Sequence, residues 1–260
     1  MKSTHRLLAT LLATGAVAAA TVPAQSAFAA EATAPAVSPA VDPAALQALE
    51  RMSAYLGTLT TFRVVAQTTY DQVYDNGQTL TFDSTITYDV RRPDGFIINM
   101  AADRHVRQIY FDGQSITLFA PNRGLYGTVP APATIDQTLD LAWQRYGILI
   151  PLRDLFRWSA PGGDRKLDLR TGVRVGYARI DGVDCDQYAF QEGGIDWQIW
   201  IARGAKPVPV RVVIIDATDL AHPQFSANLT WTETPAYAAD AFTFKPPANS
   251  SRIGVEEVEQ

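Results

Sequence analysis

The chain has 260 residues, 47% of them hydrophobic and 19% charged, with a formal net charge of −5 and a sequence pI near 5.2. That is apolar enough for a real core, so disorder over most of the length and collagen-like or mucin-like character are excluded. The acidic balance also argues against a nucleic-acid partner, which needs a basic surface to neutralise phosphates.

Residues 1–29 read as a signal peptide. Lys2, His5 and Arg6 make a basic start, Leu7 to Ala20 is an almost unbroken apolar run, and Ala27-Phe28-Ala29 offers the small residues that signal peptidase needs. The run is alanine-rich and interrupted by Pro23, and no later segment is long and apolar enough to span a bilayer. The expectation is therefore cleavage after Ala29, with no transmembrane segment left. The single cysteine, Cys185, is far from that point, so the sequence offers no lipid-modified N-terminal cysteine and no intrachain disulfide. The expected location is the periplasm or the exterior. Cys185 itself reads as a small buried hydrophobe on a strand.

Residues 30–41, with Pro35 and Pro39, read as a flexible linker, and a single domain is expected over 42–247. Asp42-Pro43 is an N-cap followed by a first-turn proline. Leu46, Leu49, Met52, Leu56 and Leu59 then recur at three- and four-residue steps, the stripe of an amphipathic helix that packs on the protein's own sheet. After Thr60 the period falls to two. Phe62, Val64, Ala66 and Tyr70 share one face of a strand ended by Asp75-Asn76-Gly77. Leu80, Phe82, Ile86, Tyr88 and Val90 then alternate with threonines and aspartates, the mark of an antiparallel sheet wet on one side. Turn residues separate further strands near 96–101, 104–111, 114–120 and 125–130, and later near 173–180, 183–191, 195–201, 208–216 and 224–231. Between the two sets, Thr134 and Gln137 form a capping box for a helix with a stripe of Ile135, Leu139, Trp143 and Tyr146, ended by Gly147. A second short helix is expected to hold Leu152, Leu155, Phe156 and Trp158, and residues 248–260 read as a polar tail.

Catalytic and metal motifs are missing from the sequence. There is no G-x-S-x-G elbow, Walker loop, G-x-G-x-x-G, H-E-x-x-H or C-x-x-C, so no catalytic residue, metal ligand or cofactor is assigned. Ser115, His105 and Asp112 could be assembled into a triad only by a fold that nothing in the sequence favours. Asp181, Asp184 and Asp186 lack calcium-loop spacing and read as solvated acids at a hairpin. Arg91, Arg92, Arg104 and Arg107 are candidates for an anionic headgroup, but read better as strand-end charges that discourage edge pairing. Above background stands an aromatic excess, with Trp143 and Trp158 on the helical insert and Trp197, Trp200 and Trp231 on late strands. A filled core and a hollow pocket are lined by the same residue types, so these rings fit either.

The order of helix, long strands, mid-chain helices and further strands resembles the lipoprotein-carrier fold shared by LolA and LolB. Several stretches are also similar to a family of predicted periplasmic proteins, domain-of-unknown-function family 2092. They include ALQALERMSAYL at 45–56, RRPDGF at 91–96, YFDGQSITLFAP at 110–121 and VPAPATID at 129–136. PLRDLF at 151–156, IDGVDCDQYAFQ at 180–191, DWQIWI at 196–201 and FTFKPP at 242–247 continue the likeness. The resemblance implies an α+β fold: a strongly curved antiparallel half-barrel of about eleven strands, with an N-terminal helix and a helical lid over its concave face. On that reading Leu80, Phe82, Ile86, Tyr88, Phe96 and Ile98 form the wall of a ligand cavity, and Leu139, Trp143, Phe156 and Trp158 its lid. The expected function is that of an exported, non-enzymatic, monomeric binder or carrier of a hydrophobic small molecule or lipid. An envelope scaffold that reads a protein partner is the alternative, and a hydrolase a third.

Overall fold

The computed structural model describes residues 41–102, 105–157 and 168–258. Helix α1 (Pro43–Thr58) starts where the sequence places its cap: the Asp42 carboxylate accepts the Ala44 N–H at 2.8 Å, and Pro43 has no N–H to satisfy. It buries Ala45, Ala48, Leu49, Met52 and Leu56, while Leu46 is 37% exposed. The stripe is thus rotated toward two alanines, whose small side chains let the helix lie close to the sheet.

The strands are β1 (Thr61–Val73), β2 (Thr79–Arg91), β3 (Gly95–Ala102), β4 (Val106–Phe111), β5 (Ser115–Ala120) and β6 (Leu125–Pro130), then β7 (Leu169–Ile180), β8 (Val183–Glu192), β9 (Ile195–Ala202), β10 (Pro209–Asp216), β11 (Gln224–Glu233) and β12 (Ser251–Arg252). They make one sheet in the order β12-β6-β5-β4-β3-β2-β1-β11-β10-β9-β8-β7. Eleven strands pair antiparallel, as expected, and the two-residue β12 adds a twelfth, parallel to β6. The ends of the order do not pair with each other, so the sheet stays open.

Register turns the period-two pattern into two unlike faces. On the inner face one row runs Val64–Tyr88–Ile98–Ile109–Leu118 across β1 to β5, and the next runs Ala66–Ile86–Met100–Arg107. On the other flank Ala227, Val212, Ile199 and Tyr188 continue the inner face. With α1 and the mid-chain helices these residues form one continuous core. The outer face carries the alternating polar set, where Thr69 donates to Asp83 at 2.8 Å, Thr81 to Asp71 at 2.7 Å and Thr85 to Gln67 at 2.9 Å. Cys185 is fully buried there in a small cluster with Trp200, Val210 and Val213.

Helix α2 (Ile135–Tyr146) is capped by Thr134, which accepts the Gln137 N–H, and ends at Gly147 in the left-handed conformation, φ 62°. Its buried face is Ile135, Thr138, Leu139 and Ala142, so the helix is rolled by one position from the expected stripe and Trp143 is 46% exposed. Steps of four, three and four from Ile135 through Leu139 and Ala142 to Tyr146 satisfy the helical period as well as steps through Trp143 do. The short helix α3 (Asp154–Arg157) buries Leu155 and Phe156, and Trp158 lies outside the described residues.

The described part of the segment after β11 is engaged at several points. Phe242 packs on Gly95, where a Cβ would stand 2.9 Å from its ring. Phe244 sits among Tyr110, Phe119 and Tyr126, with ring centroids 5.1, 5.3 and 5.1 Å away. The chain then pairs with β6 and lays Val255 against Gly127. It ends at α2, where the Val258 N–H donates to the Arg145 carbonyl at 2.9 Å and Arg145 meets Glu257 at 2.6 Å. The polar tail expected from residue 248 is, over 248–258, a strap across the β6 edge.

Candidate functional site

Ile86, Tyr88, Phe96 and Ile98 are at most 2% exposed on the inner face. Leu80 and Phe82 are half-buried nearer the β1–β2 turn, where Phe82 stacks on Tyr70 at 5.5 Å. Of the lid residues, Leu139 and Phe156 are buried. The Phe156 ring meets Tyr88 and Phe96 at 6.0 Å each, and the Tyr88 hydroxyl donates to the Pro151 carbonyl at 2.8 Å. Burial pushes that phenol well above its ordinary range, so it stays a donor. Wall and lid touch side chain to side chain here and fill the space between them. Trp143 faces outward with the Arg153 guanidinium 5.5 Å from its ring centroid.

A cavity of about 510 Å³ opens farther along the sheet, between the inner face of β3 to β5 and the chain that follows α2. Its floor is Met100, Ile109, Leu118 and Ala120, and its opposite wall is Tyr146, Gly147, Ile148 and Leu149. Met100 and Ile109 are the cross-strand neighbours of Ile86 and Ile98, so the floor continues the two rows of the packed wall. Local chemistry explains the opening. Gly147 turns the chain back, the Ile148 N–H reaches the Ala142 carbonyl at 2.8 Å, and Leu149 is left 64% exposed before Ile150 returns to the core. None of the described wall or lid residues expected from the sequence lines this cavity.

Its rim is His105, Arg107, Asn122 and Arg123, and none of the described lining residues is acidic. Arg107 and Arg123 are exposed and form no ion pair with a described residue. The other flagged arginines are placed elsewhere. Arg91 meets Asp94 at 3.2 Å and lies over Phe242, while Arg92 lies over Phe62 and burial pulls its guanidinium down to about 10 despite the nearby Asp136. Arg104 is outside the described residues. Arg123 was legible in sequence only as part of a turn, Pro121-Asn122-Arg123-Gly124. The short 3-10 turn that carries it doubles back beside β4, which no spacing in the sequence reveals.

A second cavity, about 460 Å³, lies on the outer face among Gln67, Thr69, Asp83, Thr85, Arg211 and Asn228. Most of its polar groups bond one another, and Arg211 stacks on Trp200 at 5.2 Å. Ser115 is held by Asp112 as a turn residue, with Oγ 3.3 Å from the carboxylate, and no hydrogen bond links His105 to either. Asp184 accepts from Tyr177 at 2.7 Å and Asp186 meets Arg174 at 2.7 Å, and no cluster of metal-ligating type occurs among the described residues.

An open antiparallel sheet covered on one face by helices, with a cavity left beside them, defines a half-barrel protein of the kind the sequence resemblance implied. The chain belongs to the family described as predicted periplasmic protein (DUF2092), which it matches over residues 45–256. Solved structures similar to it include an uncharacterised conserved protein from Thermus thermophilus, with 10% identity, TM-score 0.48, and coverage of 81% of this chain and 99% of that one. The lipoprotein LppX of Mycobacterium tuberculosis is similar at 16% identity and TM-score 0.46, over 75% and 98% of the two chains. A LolA superfamily protein from Nitrosomonas europaea is similar at 11% identity and TM-score 0.36, over 77% and 97%. Comparison with curated proteins gives no match. No helix among the described residues is long and apolar enough to cross a membrane.

Proposed function

We propose that this protein is an exported, non-enzymatic binder of an apolar molecule, a lipid or an acyl chain, in the bacterial cell envelope. The observation that carries this reading is the cavity of about 510 Å³ floored by Met100, Ile109, Leu118 and Ala120, which falls within the size range of small-ligand sites. Each methylene it buries contributes about 0.8 kcal/mol, so affinity needs no catalytic or metal chemistry. The packed rows of Ile86 and Ile98 back the floor and hold it rigid. Export rests on residues 1–29, with release of a chain that begins at Ala30 or Glu31.

Two measurements test this. Native mass spectrometry of protein purified gently from its own envelope fraction should show an adduct of lipid mass. Leu118→Trp should then lower retention of an apolar fluorophore such as N-phenylnaphthylamine. Leu118 is part of the cavity floor, and Val255 covers its cross-strand neighbour Gly127, so a larger ring at 118 takes up cavity space. A bare mass together with no fluorophore binding by the wild type would overturn the reading.

A further inference from the structure

We infer that the ligand of this cavity is an anionic single-chain amphiphile, with its carboxylate or phosphate held at the rim by Arg107 and Arg123. The inference rests on the apolar-binder reading above and adds the headgroup to it.

The rim is anomalous for this chain. The protein as a whole is acidic, yet His105, Arg107 and Arg123 come together around one opening, and among the described residues that line it none is an aspartate or glutamate. Several surface arginines find acids, as Arg63 meets Asp89 at 2.6 Å, Arg145 meets Glu257 at 2.6 Å and Arg174 meets Asp186 at 2.7 Å, while Arg51, Arg170 and Arg252 stand singly without one among the described residues. Arg107 and Arg123 also lack one, but they share one opening.

Register explains why Arg107 serves the cavity. It lies opposite Met100 on β4, in the inner-face row that runs through Ala66 and Ile86. A position whose row neighbours are apolar and packed carries a cation just where the helical cover ends. Arg123 arrives at the same opening from the 3-10 turn at the end of β5, which packs beside β4. Two guanidiniums at one mouth can each present a planar fork of donors to an oxyanion, a charge-assisted bidentate pairing that a neutral or cationic headgroup does not make. Beneath them Met100, Ile109 and Leu118 offer only apolar surface. An anion at the rim and a chain on the floor are satisfied together by one amphiphile. The volume suits one chain better than a bulky multi-chain lipid.

Competition against a bound apolar fluorophore, with ligands of one chain length kept below micelle formation, tests this. Palmitate and hexadecyl phosphate should displace the fluorophore roughly tenfold or more tightly than hexadecanol, and hexadecylamine should be weakest. The advantage of the two anions should shrink as salt rises. Arg107→Gln combined with Arg123→Gln should erase it while leaving hexadecanol binding and the circular dichroism spectrum unchanged, since both side chains are exposed. A preference for palmitate alone would mark a carboxylate site, and for hexadecyl phosphate alone a phosphate site; either supports the inference. Equal binding of palmitate and hexadecanol would overturn the headgroup and leave the apolar reading standing. Inorganic phosphate that binds as tightly as hexadecyl phosphate would overturn the amphiphile. No binding of any chain would overturn both readings.

Discussion

At the scale of single residues, the best-defined polar contact in the core is the hydroxyl of Tyr88 on the Pro151 carbonyl. It ties the sheet to the segment between α2 and α3, and both partners have few alternatives because Tyr88 is 1% exposed. Tyr88→Phe keeps the ring contact with Phe156 but strands that carbonyl, so it should cost about 1–3 kcal/mol in urea unfolding. A change near zero would mean that water reaches the carbonyl. Cys185 is a different case. Burial and the neighbouring Asp184 raise its thiol above the ordinary range, so it stays protonated and poorly nucleophilic. Cys185→Ser should cost about 1–2 kcal/mol, from a hydroxyl placed among Trp200, Val210 and Val213. Fluorophore binding should be unchanged, because the cluster lies on the outer face. Trp143→Ala should cost less than about 1 kcal/mol, since the ring is half in water and its visible partner is Arg153.

At the scale of elements, the strap over 250–258 decides how firmly the cavity wall is held. It reaches the end of α2 through Val258 and through the Arg145–Glu257 pair, one residue before the Tyr146–Leu149 wall begins. The hydrogen bond and charge of Arg145 hold the Glu257 carboxyl below its ordinary range. The folded value is depressed, so this contribution is present above the unfolded glutamate value and is lost as pH falls through the folded one. The protection factors of the strap amides, their exchange corrected for the intrinsic rate at each pH, should therefore fall on acidification from the ordinary glutamate range downward. Glu257→Gln should flatten that dependence, and both effects should fade with salt because the pair is exposed. An unchanged pH profile in the variant would show that the backbone contacts alone hold the strap. Much of this level was legible beforehand. The alternation in β2, the turn pairs and the caps at Asp42 and Thr134 each encode a local event, and each appears where the sequence puts it. The strap was not legible, because Val255 and Val258 are isolated apolar residues among charges and their partners, Gly127 and Arg145, are far away in sequence. The roll of α2 was hidden for a related reason: two stripes fit its period, and only the sheet beneath chooses between them. The cavity itself depends on where packing stops, and composition does not carry that information.

At the scale of the whole molecule, the sheet has no seam. β1 pairs with β2 along its full length and with β11 over Phe62 to Tyr70, so this one strand belongs to both flanks. The core follows it: Phe96, Ile98 and Phe111 on one flank and Tyr188, Phe190 and Ile199 on the other belong to one cluster with α1. The chain also enters across the far edge, where the Asp42 N–H donates to the Gly172 carbonyl of β7 at 2.8 Å. Helix α1 is thus fastened at β7 while its buried face shares a core with β3 and β4. Such a connection couples the flanks, and unfolding one should expose apolar surface of the other. The slowest amides of β3 and β4 should then exchange at the same free energy as those of β8 and β9. Met52→Ala, at a position 1% exposed on α1, should lower both sets together by about 2–5 kcal/mol. If β3 and β4 were weakened and β8 and β9 kept their protection, the flanks would be separate folding units. The cavity beside β3 to β5 would then lie on a part of the molecule able to open alone. Equal loss on both flanks would instead mean that the cavity beside β3 to β5 lies on a sheet that opens only as a whole.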